Sequence, residues 1–160
     1  MSYLIKEYYI KSALKLSEYS KDPNTKVGAL IVQNEEKIIG SGINEMPNSS
    51  DNYTWNRDGK LSETKYGYII HAEANAIFDA SAIDPENVDN PELENCDLFV
   101  TLFPCNECAK LISKTKIKNV YYYSDKYHDT ESCKCSRKIF DECGIHYEQI
   151  KLRDLSYEQK

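Results

Sequence analysis

Two short segments of the 160-residue sequence concentrate residue types that bind metals and transfer protons. One is His71-Ala72-Glu73, and the other is Pro104-Cys105-Asn106-Glu107-Cys108. Two thiolates and one imidazole suit Zn²⁺, and three protein ligands leave the fourth tetrahedral position open to water, as in catalytic zinc sites. The sequence therefore predicts a zinc site formed by His71, Cys105 and Cys108.

Glu73 stands two residues after His71, close enough to reach a water molecule on the metal without binding the metal itself. Zinc lowers the pKa of such a water toward ~7. A neighbouring carboxylate can then accept its proton and deliver it elsewhere. We predict that Glu73 is the catalytic acid–base of this site.

The elements that must position these residues follow from the spacing of apolar side chains. Residues 3–19 have helical periodicity, and residues 27–32 and 37–43 form a hairpin of Val-, Ile- and Leu-rich strands. Residues 44–68 are polar and include the only tryptophan, Trp55, so we expect a functional loop there. The rest of the chain alternates: helix 72–82, strand 98–102, helix 105–114, strand 119–123, helix 130–143 and strand 145–150.

This alternation predicts an α/β fold, a three-layer α/β/α sandwich around a five-stranded mixed sheet. The later strands should be parallel, and the opening hairpin makes the sheet mixed. Both candidate segments then lie where a loop or strand passes into a helix, which is where ligands converge in open α/β sheets. We expect one catalytic domain over residues 1–160.

Charge and composition exclude several classes of partner. The 20 Lys and Arg residues against 26 Asp and Glu give a net charge of −6, which disfavours a polynucleotide partner. The first thirty residues lack the pattern of a secretory signal, and no apolar run approaches ~18 residues. We therefore expect no membrane partner and a cytoplasmic protein, in which cysteines bind metal or catalyse rather than form disulfides.

The remaining motifs have alternative interpretations. His71 and the two cysteines could form a closed structural zinc site with a fourth ligand, but Glu73 would then have no role. Cys133, Cys135 and Cys143 could form a second zinc site with His128 or His146, although residues two apart on a helix point to different faces. Cys96 is most simply a small buried side chain. Tyr121-Tyr122-Tyr123 favours strand packing over base stacking, and residues 114–118 favour a solvated helix end.

His-x-Glu followed by Pro-Cys-x-x-Cys is the signature of zinc nucleobase deaminases. The chain resembles, more narrowly, the deoxycytidylate (dCMP) deaminase family over about residues 5–152. The resemblance rests on residues 20–29 (SKDPNTKVGA), 42–47 (GINEMP), 64–66 (TKY), 71–73 (HAE), 102–110 (LFPCNECAK) and 124–129 (SDKYHD).

The resemblance implies hydrolytic deamination of dCMP to dUMP, the substrate of thymidylate synthesis, with one zinc ion per chain. Glu73 would protonate N3 of the pyrimidine and then carry a proton to the departing amine. The implied substrate-binding residues are Asn44 at the sugar or base, Asn24 and Thr25 in the same pocket, Ala72 within the His-x-Glu motif, and Tyr127 at the phosphate.

Related enzymes remain as alternatives. Nucleoside cytidine deaminases usually have cysteine where His71 stands, and tRNA deaminases typically have Pro-Met in place of Asn106-Glu107. The alternatives are therefore a deaminase of dCTP or of a modified dCMP, a nucleic-acid base deaminase, or an inactive zinc-stabilised binding module. Glu73 argues against the last, because a structural protein does not need that carboxylate.

The resemblance also implies a homo-oligomer, a hexamer, that dCTP activates and dTTP inhibits in the presence of Mg²⁺. Regulated members read Gly-Tyr-Asn-Gly where this chain has Gly42-Ile43-Asn44-Glu45. A carboxylate at Glu45 repels a triphosphate unless Mg²⁺ or a basic neighbour such as Lys65 or Arg57 compensates. We therefore expect weak or altered control by these nucleotides.

Overall fold

The order of helices and strands agrees with the alternation that the sequence predicts. The computed structural model describes residues 1–81 and 92–153. These residues form α1 (Tyr3–Ser17), β1 (Gly28–Gln33), β2 (Lys37–Ile43), α2 (Ala72–Ser81), β3 (Cys96–Leu102), α3 (Asn106–Ser113), β4 (Asn119–Ser124), α4 (Glu131–Cys143) and β5 (His146–Gln149). Element ends differ from the predicted ones by one or two residues, and residue 82, the predicted end of α2, lies outside the described residues.

The five strands form one mixed sheet in the order β2-β1-β3-β4-β5. Strand β1 is antiparallel to both of its neighbours, whereas β3, β4 and β5 are parallel. The β1–β2 hairpin turns at Asn34 and Glu35, whose φ angles of 54° and 63° are in the left-handed region that tight hairpin turns use. The predicted mixed sheet is confirmed.

Strict alternation along the central strands divides the core into two layers. In β3, Leu98 and Val100 pack toward α2, α3 and α4, whereas Phe99 packs toward α1. The tyrosines of β4 alternate in the same way, with Tyr122 on the first side and Tyr121 on the second. Strand packing is therefore the role of these tyrosines, and the three-layer arrangement is confirmed.

Four strand ends meet at one edge of the sheet. Because β2, β3 and β4 run in the same direction and β1 runs against them, the ends of β2, β3 and β4 lie beside the start of β1. Helix α2 packs so closely on β2 that a Cβ atom on Gly42 would lie 2.5 Å from the Ala72 carbonyl oxygen. This close approach holds the start of α2 at the same edge.

The long polar loop between β2 and α2 has more structure than the sequence indicates. It contains three single 3₁₀ turns at Pro47–Ser49, Leu61–Glu63 and Lys65–Gly67. Glu45 and Ile70 exchange two backbone hydrogen bonds of 3.1 and 2.9 Å across its ends. In the part of the chain that the structure describes, no helix is both long and apolar enough to span a bilayer.

Candidate active site

The predicted metal ligands converge from two helix starts. His71 immediately precedes α2, while Cys105 and Cys108 lie at the beginning of α3. The Nδ1 atom of His71 is 3.4 Å from the Sγ atom of each cysteine, and all three ligand atoms lie within 4.8 Å of one another. Tetrahedral zinc with ordinary bond lengths would separate a nitrogen and a sulfur ligand by about 3.5 Å. The three side chains therefore fit a zinc ion.

The two neighbouring thiols shift each other's pKa in opposite directions. A hydrogen bond from Cys108, opposed by burial and assisted by His71, lowers the pKa of Cys105 to about 4. The same hydrogen bond and burial raise the pKa of Cys108. One thiolate is thus already available at neutral pH, and metal binding would displace the second proton, as thiolate coordination requires.

Glu73 lies beside the three ligand atoms and is not part of their cluster. Its side chain is buried, with 5% of the residue exposed, and burial raises its pKa above the ordinary glutamate value. A carboxyl group with a raised pKa in a cavity is a candidate for proton transfer. Its role as the catalytic acid–base stays a prediction.

A cavity of about 360 Å³ opens in front of Glu73 and the ligands. Its walls are mostly apolar and include Val27, Ile69, Leu102 and Phe103, and buried polar side chains such as Asn44 and Lys65 also contribute. Three polar side chains that also line it, Arg57, Tyr66 and Tyr127, are each more than a third exposed. The volume lies in the range of small-molecule sites, and the walls suit a flat ring with a polar substituent that points outward.

Comparisons with known proteins agree with this geometry. Residues 4–124 match the family model described as the cytidine and deoxycytidylate deaminase zinc-binding region. The chain belongs to the cytidine and deoxycytidylate deaminase family. It is 44% identical to the deoxycytidylate deaminases of Pongo abelii and Homo sapiens, over 90% of this chain and 78% of theirs.

A solved structure shares both the fold and part of the sequence. The dCMP deaminase of the cyanophage S-TIM5, crystallised with dCMP and dUMP, superposes with a TM-score of 0.72 at 28% identity, over 93% of this chain and 98% of that one. The resemblance inferred from the motifs is confirmed, as is the cytidine deaminase-like fold. The family also establishes the chain as a zinc-binding deaminase.

Four of the five predicted substrate residues of this deaminase line the cavity, namely Thr25, Asn44, Ala72 and Tyr127. Asn24 does not belong to its lining, and the residue is exposed. Asn44 accepts a hydrogen bond from the Val27 N–H at 2.8 Å and donates one to the Thr25 carbonyl oxygen at 2.8 Å. Its amide therefore holds the wall of the cavity in place.

Sequence reasoning missed a buried ion pair that itself lines the cavity. Lys65 Nζ lies 2.7 Å from Asp22 Oδ2, and the two side chains are 8% and 1% exposed. Asp22 also accepts hydrogen bonds from the backbone N–H groups of Asn24 and Thr25 and from Asn44 Nδ2. Burial would raise the pKa of Asp22, but the hydrogen bonds from Lys65, Asn24 and Thr25 and the Lys65 charge lower it. Lys65, which the sequence indicates as a basic neighbour that could compensate the Glu45 charge, is therefore paired with Asp22.

Arg57 is the second residue whose place in the site the sequence did not show. A hydrogen bond with Tyr66, together with the phenol groups of Tyr66 and Tyr127, raises the pKa of its guanidinium. Arg57 lies in the long loop, where no periodicity indicates which side chains face inward. The only available signal was its charge, two residues after Trp55 in an insert expected to be functional.

The other cysteines and histidines do not form a second metal site in residues 1–81 and 92–153. Within these ranges, the only group of three or more ligand side chains close enough to share an ion is the one at His71. Cys133 is buried whereas Cys135 is exposed, as expected for residues two apart on a helix. Cys96 is buried at the start of β3, which agrees with its predicted role as a small core side chain.

Proposed function

We propose that the chain catalyses the zinc-dependent hydrolytic deamination of dCMP to dUMP and ammonia, and so supplies dUMP for thymidylate synthesis. The observation that carries the proposal is the buried carboxyl group of Glu73 beside the three zinc ligands, at the inner end of a nucleotide-sized cavity. The deaminases that are 44% identical to the chain act on deoxycytidylate, as their names state.

The proposed roles of the side chains follow from their positions. When bound to His71, Cys105 and Cys108, zinc supplies a Lewis acid that makes a water molecule acidic near pH 7. Glu73 would accept one proton from the water that adds to C4 and pass it to N3 of the pyrimidine. It would then accept the second proton of the same water, now on the C4 oxygen, and deliver it to the exocyclic amine as the C4–N bond breaks. One water is consumed and one ammonia is released, so the carboxyl group returns to its starting state.

The walls of the cavity would hold the base and exclude bulk water. Val27, Leu102 and Phe103 provide apolar surface against the pyrimidine, and Thr25 and Ala72 lie beside it. A dry site strengthens the electrostatic interactions between Glu73 and the reacting atoms. Asn44, with its amide already hydrogen-bonded to the backbone, would keep residues 25–27 at a fixed distance from the ring.

The 5′-phosphate would bind at the mouth of the cavity. Arg57 offers a planar guanidinium that suits phosphate geometry, and Tyr66 and Tyr127, which also line the cavity, offer phenol hydroxyl groups. This assignment adds Arg57 to Tyr127, the residue that the sequence alone associates with the phosphate. Lys65 is held by Asp22 and would act on the nucleotide only through its charge.

An ammonia-release assay across five substrates tests the proposal: dCMP, CMP, deoxycytidine, dCTP and a cytosine-containing oligonucleotide. We expect dCMP to have the highest kcat/KM. Deoxycytidine should be ~10²-fold poorer because it loses charge-assisted hydrogen bonds worth ~1.5–3 kcal/mol each. Equal rates on deoxycytidine and dCMP would indicate a nucleoside deaminase. Activity confined to dCTP or to the oligonucleotide would instead support one of the alternative substrates.

We also propose a cytoplasmic homo-oligomer, a hexamer, whose protomers each contain one catalytic domain over residues 1–160. Control by dCTP and dTTP with Mg²⁺ should be weak. The Glu45 carboxylate accepts a hydrogen bond from Ser49 Oγ at 3.1 Å, and its backbone is paired with Ile70. Lys65 cannot neutralise it, because its ammonium group is bound to Asp22.

A further inference from the structure

Two serines of α4 hydrogen bond the backbone on both sides of the zinc ligand Cys105. The N–H group of Asn106, just after Cys105, donates to Ser132 Oγ at 3.0 Å. The carbonyl oxygen of Pro104, just before Cys105, accepts from Ser136 Oγ at 2.8 Å. Ser132 and Ser136 are four residues apart, so they lie on one face of α4. Cys105 is thus held from a helix that contributes none of the three ligands.

Ser132 supplies what the start of α3 lacks. The first N–H groups of a helix have no partner within the helix, and the residue before it usually caps one with a side-chain oxygen. Cys105 occupies that position in α3 and makes no such hydrogen bond. The Ser132 hydroxyl accepts from Asn106 instead and donates to Asn106 Oδ1 at 2.9 Å. The cap of α3 therefore comes from another helix.

Ser136 is fully buried, with 0% of the residue exposed. Its hydroxyl group reaches the Pro104 carbonyl oxygen at 2.8 Å and the Ser132 carbonyl oxygen at 3.2 Å. A buried hydroxyl group is unfavourable unless it is hydrogen-bonded, and loss of Ser136 would leave the Pro104 oxygen without this donor. The pair of serines fixes the orientation of both peptide groups that flank Cys105.

We propose that Ser132 and Ser136 are positioning residues that preorganise Cys105 for zinc. The inference rests on the zinc centre of the proposed function and extends it to residues outside the ligand set. With both flanking peptides fixed, Cys105 Sγ stays at 3.4 Å from His71 Nδ1, the spacing that zinc requires. Without them, the start of α3 gains freedom that zinc binding must remove, so the metal binds more weakly.

Zinc affinity measured by competition with a chromogenic chelator tests this on the full chain. Loss of groups that support metal ligands typically lowers affinity 10–100-fold, so Ser132→Ala and Ser136→Ala should each raise the zinc dissociation constant about 10-fold. Ser132→Thr keeps a hydroxyl group and should restore nearly all of the affinity. Ser12→Ala is the matched control, because Ser12 Oγ donates to Tyr8 O at 2.9 Å on α1, far along the chain from the ligands.

A urea titration of each zinc-free variant separates positioning from general stability. If Ser132→Ala and Ser136→Ala lower the unfolding midpoint but bind zinc as tightly as the unmodified chain, the serines are merely structural and the inference is wrong. A wild-type chain that binds zinc without deaminating dCMP would overturn the proposed function and leave this comparison valid. A wild-type chain that binds no zinc would overturn both.

Discussion

The buried ion pair between Lys65 and Asp22 allows a quantitative test of how the cavity wall is held. Lys65→Met removes the ammonium group but keeps an unbranched side chain, and Asp22 Oδ2 then keeps its weaker hydrogen bond from Asn44 Nδ2 at 3.3 Å. Removal of one partner from a buried ion pair typically destabilises a protein by ~3–5 kcal/mol. Because two backbone N–H groups still hold Asp22 Oδ1, we expect the lower end, ~3 kcal/mol.

Chemical and thermal unfolding at one protein concentration would measure this loss. For a domain of this size, ~3 kcal/mol corresponds to a decrease in Tm of about 6–12 °C. Lys21→Met is the matched control, because Lys21 Nζ lies 2.8 Å from Asp51 Oδ1 in a pair whose side chains are 61% and 82% exposed. Exposed pairs contribute little to stability, so this variant should unfold like the unmodified chain.

The contribution of the Lys65–Asp22 pair to stability should depend on pH in a definite direction. Burial opposes ionisation of Asp22, but its hydrogen bonds outweigh burial and lower the pKa of the folded chain's carboxyl group from 3.8. A carboxyl group of this kind stabilises the fold above its unfolded pKa, and the contribution is lost as pH falls through the folded pKa. The difference in the free energy of unfolding between the unmodified chain and Lys65→Met should have its maximum value at pH 7 and decrease below pH ~4. Equal losses in Lys65→Met and Lys21→Met at pH 7 would refute the reasoning.

Three further predictions concern chemistry and regulation. Cys108→Ala should lose zinc and activity together, because the two remaining ligands cannot retain the metal. If metal analysis shows no zinc in this variant and its turnover is nevertheless full, the assignment is wrong. Glu73→Gln should keep about one zinc per chain while turnover falls at least ~10²-fold, and near-normal turnover would exclude Glu73 as the proton carrier. Glu45→Gly should increase the response of dCMP saturation curves to dCTP and dTTP with Mg²⁺. An unchanged response would show that the Glu45 carboxylate does not oppose triphosphate binding.

The parts of the fold that the sequence predicts are those with a regular period. Alternation in the strands and helical spacing in α1 to α4 reflect which faces are buried, so the pattern predicts each of these strands and helices to within one or two residues. His71, Cys105 and Cys108 can be predicted together because both segments lie at helix starts, which the sheet topology brings to one edge. For these residues, the sequence pattern that marks a helix start also indicates where the side chain lies in the folded protein.

The contacts of the long loop could not be predicted from the sequence pattern. Lys65 and Asp22 are 43 residues apart and pair through an irregular segment, so nothing in the local pattern indicates the contact. Arg57 resembles any other loop arginine in the sequence, and only the folded loop brings it to Tyr66. The serines of α4 were also missed, because a serine in an amphipathic helix has no visible partner until the neighbouring helix is placed.

Some residues of the site are held by helices packed on the sheet, and others are held by the irregular loop. This difference determines whether a residue mainly affects the chemical step or the selectivity for the nucleotide. The zinc ligands and Glu73 lie at helix starts packed on the sheet, where Gly42 allows close contact and the serines of α4 fix Cys105. Arg57 and Tyr66 come from the irregular loop, which is held by short turns, backbone hydrogen bonds and the Lys65–Asp22 pair. Rigid elements hold groups more accurately than loops do, so they suit the atoms that transfer protons. Substitutions in the loop should therefore change the selectivity among nucleotides more than they change the rate of the chemical step at C4.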